Sequence, residues 1–122
     1  MRRLALLSVV LGGLAACTTS PSKLVEHGQR HEFAAATAPK KLADCTAVNA
    51  RSFSEHYTSS VRELIRPDNY QVVVSELRYG YEPIIVARTA PSAAGAQLVV
   101  FTSDHLDALH TADWLARLRQ GC

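Results

Sequence analysis

The sequence predicts an α+β domain in the order β-α-β-β-β-β-α, an antiparallel sheet with two helices packed on one face. Two observations carry this. Between residues 59 and 101 the chain passes through apolar, β-branched segments separated by short turn signals, the pattern of an antiparallel meander. On either side of that stretch apolar residues recur at three- and four-residue spacing, the period of a helix that buries one face.

Taken in order, residues 29–36 form a first strand, with Phe33 its only large apolar side chain. Thr37 and Ala38 lead into Pro39, a residue tolerated in the first turn of a helix. From there Leu42, Cys45, Val48, Asn49 and Phe53 keep helical spacing to about Tyr57, which puts Cys45 on the inward face. Residues 59–66 and 70–77 form a hairpin around the turn signal Pro67-Asp68-Asn69, with Val72, Val73 and Val74 central to its second arm. Arg78 to Pro83 is the next break, 84–87 a strand, 90–95 a flexible connector and 98–101 the last strand. Strands apolar on both faces near their centres suit a sheet covered on one side and partly buried on the other.

The tail is helical. Thr102 or Ser103 supplies the cap, and Asp104 and Asp107 fall in the first turn, where the helix dipole favours negative charge. Leu115, Leu118 and Cys122 share a face, and Trp114 reads as core. A second short helix starting at Thr111 is the alternative for this segment.

The first 16 residues have a different character. Arg2 and Arg3 precede an apolar run over 4–14, far short of the roughly 20 residues a helix needs to cross a bilayer. A charged start, a short apolar stretch and small residues before a cut site make a secretory signal. Its end, Leu14-Ala15-Ala16-Cys17, resembles the lipobox of bacterial lipoproteins. The resemblance implies that 1–16 is removed and that Cys17 becomes the first residue and carries two or three acyl chains such as palmitate. Two chains or more give stable anchoring. In that family an Asp after the cysteine favours the inner membrane; Thr18 stands there instead, which implies the outer membrane, with the protein facing the periplasm. Residues 17–28 then read as a lipidated start and flexible tether with a reach of roughly 20 Å, and 29–122 as a single domain.

Processing changes the charge. The whole chain has thirteen Lys plus Arg and eleven Asp plus Glu. Loss of the leader takes Arg2 and Arg3 and no acid, leaving eleven of each sign and a net charge of zero. The longest basic cluster outside the leader is Lys40-Lys41, so nucleic acid is not an expected partner.

With Cys17 carrying lipid, Cys45 and Cys122 remain, and an even pair in an oxidising compartment reads as a disulfide. Both fall on inward faces of the two predicted helices. The whole chain is loosely similar to small lipoproteins of Gram-negative envelopes. The likeness rests on the lipobox, a helix holding Cys45-Thr46-Ala47-Val48-Asn49-Ala50, the strands and a terminal Cys. That likeness implies no activity.

Candidate chemistry is sparse. His27 and His31 lie four apart, but at the tether-to-domain boundary with Gly28 between them. His105 and His110 lie near Asp104, Asp107 and Asp113, but five-residue spacing makes two histidines diverge on a helix. Helix-end polar residues explain both groups, so no metal site and no cofactor is assigned. Glu55-His56 beside Ser59-Ser60 reads as polar surface, and neither a Gly-x-Ser-x-Gly elbow nor a phosphate loop is present. No catalytic residue is assigned. Arg78, Tyr79 and Tyr81 make the segment best suited to partner contact, since Tyr and Arg are favoured in binding hot spots.

The reading is therefore a non-enzymatic, lipid-anchored envelope protein acting as a binding or structural module, with the membrane and an envelope protein as partners. Two alternatives stand beside it. One is an inhibitor of a host hydrolase such as lysozyme, against which the two helices and the lack of a Ser/Gly/Lys-rich loop weigh. The other is a metal-binding or enzymatic periplasmic lipoprotein.

Overall fold

The computed structural model describes residues 20–78 and 80–122. In chain order the elements are α1 (Pro21–His27), β1 (Gln29–Ala35), α2 (Pro39–Arg51), β2 (Tyr57–Glu63), β3 (Tyr70–Leu77), β4 (Tyr81–Ser92), β5 (Gly95–Thr102) and α3 (Ala108–Arg119). From β1 onward this is the expected order. The five strands form one sheet, β1-β5-β4-β3-β2, with every neighbouring pair antiparallel. The last four strands are a meander, and α2 carries the chain across the sheet from one edge at β1 to the other at β2.

Side chains alternate between the two faces of a strand, and the register shows how. His31, Val100, Ala87, Val72 and Val61 run side by side across one face. On it lie α2 and α3. From α2, Leu42, Ala43, Ala47 and Ala50 are buried against Val72, Val74, Ile85, Ala87, Leu98 and Val100. Three of those four helix residues are alanines, so the backbone of α2 approaches the sheet closely. The inward stripe is turned from the one expected: Val48 is exposed.

The first long helix stops at Arg51 rather than running to Tyr57. The Ser52 hydroxyl donates to the Asn49 carbonyl, one of the acceptors a continuing helix would have used. Released from helical geometry, Phe53 stacks on Trp114 at 4.1 Å between centroids, and Tyr57 meets Trp114 edge-on at 4.9 Å. The Arg117 guanidinium covers the other side of Phe53 at 4.4 Å.

Three further elements differ from expectation. The segment read as the flexible connector 90–95 is strand: β4 runs to Ser92, Pro91 pairs with Ala96, and Ala93-Ala94 make a two-residue turn. Pro91 is tolerated because β3 ends opposite Thr89, leaving that stretch of β4 with a neighbour on one side only. Gly95, at φ +129°, is required here, since a Cβ would lie 2.9 Å from the Thr37 backbone. The last helix starts later than expected, at Ala108, and Asp107 is its N-cap rather than a first-turn residue.

The third difference concerns the tether. Pro21–His27 is helical, with the Ser20 hydroxyl accepting from the Lys23 N–H at its start. Leu24 is 3% exposed and packs on Val86 and Phe101, on the sheet face opposite α2 and α3. Residues 20–28 are therefore part of the domain, not a flexible spacer. Leu24, with Val25 partly buried beside it, supplies the anchor, and this short apolar pair was hidden in a polar stretch.

Cys45 and Cys122 are bonded, with Cα atoms 5.9 Å apart. Beside the bridge, the Asn49 side-chain amide donates to the carbonyls of Leu118 and Gln120, at 3.0 and 2.9 Å. Those are carbonyls that the end of α3 leaves without helical partners.

Replacing both cysteines by serine opens a loop of 78 residues, Cys45 through Cys122 inclusive, and is expected to cost about 4 kcal/mol. Asn49→Ala is expected to cost about 1–3 kcal/mol through the stranded carbonyls. Urea unfolding measures both, and an Asn49→Ala midpoint equal to the parent's would show that the amide does not stabilise the end of α3. Leu24→Ala is expected to cost about 2–4 kcal/mol. Hydrogen exchange should then show residues 21–27 losing protection; unchanged protection would mean that Leu24 does not hold α1 down.

Candidate functional site

The face that α2 and α3 leave open is only half covered. Across it, one row of side chains is Arg30, Phe101, Val86, Val73 and Ser60, and the next is Glu32, Val99, Arg88, Gln71 and Arg62. The first row carries α1. No helix covers the second, and the β2–β3 loop stands beside it, held by the Leu64 N–H donating to the Asn69 carbonyl at 2.7 Å. Together they shape a groove of about 520 Å³.

Three arginines line it: Arg62 from β2, Arg66 from the loop and Arg88 from β4. Arg88 is fixed by a buried neighbour. Gln71, 2% exposed, accepts from Arg88 Nε at 2.9 Å through its side-chain oxygen. Nε is thereby occupied, while both terminal nitrogens of the guanidinium keep their donors. No side-chain hydrogen bond or ion pair holds Arg62 or Arg66 among the described residues. Val99, Ala90 and Leu64 give the groove an apolar lining, and Ile65 on the loop is fully exposed.

Glu63 is also at the groove, but its position in β2 alternates with that of Arg62, so it belongs to the opposite face with its partner Tyr70. The Tyr70 hydroxyl is pushed above the ordinary tyrosine range, first by burial and then by the carboxylates of Glu63 and Asp68. What faces the groove is therefore mainly guanidinium and amide: a donor set for anions.

The residues expected for partner contact lie elsewhere. The turn after β3 is at the opposite end of that strand from the β2–β3 loop. Arg78 there is exposed and pairs with Glu76 at 3.3 Å, and Tyr81 is 56% exposed. Tyr79 and Cys17 lie outside the described residues. The groove escaped the sequence reading because Arg62 and Arg88 are far apart in the chain. Only the register, with Gln71 between them, makes them neighbours two strands or roughly 10 Å apart. The one local signal was Arg62 and Arg66 bracketing the apolar Leu64-Ile65 pair before the Pro67 turn.

The histidines are dispersed into separate local roles. His31 meets Thr102 Oγ1 at 3.2 Å from β1, whereas His27 sits at the end of α1 beside Glu26. His110 contacts the Asp107 cap through its backbone N–H and its ring Nδ1, both at 2.8 Å. Among the described residues no three His, Cys, Asp or Glu side chains gather as metal ligands.

The backbone N–H of His110, and then its ring, hold the Asp107 carboxyl below its ordinary value. A carboxyl depressed in the folded state adds stability that is present above the unfolded value near 3.9 and is lost as pH falls through the folded one. Asp107→Ala is thus expected to lower Tm at neutral pH and to converge with the parent in acid; an equal deficit at both would exclude this cap as the source. No protein-family model, no curated protein and no solved structure matches the chain.

Proposed function

We propose that the protein is a non-enzymatic, lipid-anchored binding module of the cell envelope, held by Cys17 on the periplasmic side of the outer membrane, and that its groove receives an anionic ligand. The observation that carries the reading is the set of three guanidiniums around one groove, with Arg88 fixed by the buried amide of Gln71. Guanidiniums stay protonated at any physiological pH. Such a groove holds negative charge; it is not built to move protons.

Export is supported by the Cys45–Cys122 bridge, since disulfides persist in oxidising compartments. Arg78 and Tyr81, exposed at the far end of β3 and β4, offer an envelope protein a second contact surface away from the groove.

Mass spectrometry of the amino-terminal peptide from the native envelope tests the anchor. The expected product begins at Cys17 and carries acyl chains, and Cys17→Ser should shift the protein from the membrane fraction to the soluble one. A product starting elsewhere, or bearing a free thiol at Cys17, would refute the anchoring.

A further inference from the structure

The structure narrows what the groove binds. The lipid proposed at Cys17, on which this inference rests, fixes a distance. Three peptide steps separate Cys17 from Ser20, the cap of α1, and three residues span at most about 11 Å. With residues 20–28 folded onto the domain, the anchor has no long spacer, so the start of α1 is held within that distance of the headgroups. α1 lies on the same sheet face as the groove. The bilayer that receives the lipid is thus the nearest source of anions to Arg62, Arg66 and Arg88.

The groove's chemistry fits that source. Its cations are Arg62, Arg66 and Arg88; Arg30, elsewhere on that face, is paired with Glu32. Glu63 belongs to the opposite face. Val99, Ala90 and Leu64 suit a glycerol backbone below a charged phosphate, and about 520 Å³ is far more room than a bare ion needs. Ile65, fully exposed between Leu64 and Arg66, is an apolar side chain set among cations, the composition of a surface that settles at a membrane interface. We propose that the groove seats the phosphate of an anionic phospholipid headgroup, with Ile65 entering the acyl boundary, so that the domain lies with its open sheet face against its own membrane.

The test uses the protein purified from the envelope in detergent and reconstituted in two kinds of vesicle. One is phosphatidylcholine alone; the other is phosphatidylcholine mixed with phosphatidylglycerol. Hydrogen exchange should show amides of 62–69 protected in the second and not in the first. Arg62→Gln with Arg66→Gln should abolish that protection while leaving Tm unchanged, since neither side chain has a hydrogen-bond or ion-pair partner among the described residues. Binding of the groove to anionic surface should fall roughly fivefold for each arginine removed.

A second arm titrates the same protein with sn-glycerol 3-phosphate and with inorganic phosphate. Protection of 62–69 by these soluble probes, together with equal exchange in both vesicles, would assign a free phosphate ligand and overturn membrane seating. Equal exchange in every condition would overturn the groove as an anion site. The mass of the amino-terminal peptide from the same sample separates the premises. A lipidated Cys17 with an unprotected groove refutes this proposal alone, and an unmodified Cys17 refutes the anchoring and membrane seating together.

Discussion

Cys45 and Cys122 tie the middle of α2 to the end of the chain, and Asn49, one helical turn further along α2, holds the last carbonyls of α3. Everything on that side of the sheet depends on this clamp. It fixes α3 where Leu118 and Trp114 complete the core begun by the alanines of α2. It also places Arg119 over the Phe33 ring at 3.8 Å, which closes the β1 edge of the core. A disulfide raises stability mainly by restricting the unfolded chain. The Asn49 amide works in the folded state, by satisfying acceptors that α3 cannot. The two contributions are therefore distinct in origin, although they sit side by side.

With two helices committed to one face, the other face is left to the smallest element. α1 is a single seven-residue helix, and it covers only the Phe101–Val86–Val73 part of the sheet. The uncovered row is polar where a fully buried sheet would be apolar, and its two arginines flank a glutamine that is itself buried. A buried amide needs a partner, and Gln71 finds it in Arg88. The same bond that satisfies Gln71 fixes the guanidinium that shapes the groove. Exposed ion pairs elsewhere, such as Lys40–Asp44 and Arg117–Asp113, contribute little by comparison.

The strands that pack on the core were legible because apolar, β-branched runs lie between turn signals. Tyr70–Leu77 carries Val72, Val73 and Val74 in one uninterrupted run between a turn and a break, and its limits coincide with the expectation. Limits set by hydrogen bonds rather than by hydrophobicity were not legible. α2 ends where a serine hydroxyl takes over a helix carbonyl, and β4 continues through a proline because no strand lies beside it there. α1 is the clearest case. Its only buried side chain is Leu24, and one leucine in a polar stretch has no period to detect.

By itself, the sequence determined the α+β class, the order of strands and helices from residue 29 on, and the inward placement of two cysteines on neighbouring helices. These follow from periodicity and turn chemistry, which act over a few residues at a time. Only the tertiary structure decided that β1 lies beside β5, that 20–28 is folded, and that Arg62, Arg66 and Arg88 share one groove around Gln71. Strand register is set by the packing of the whole sheet. Residues 26 positions apart become neighbours only once every strand between them has found its place.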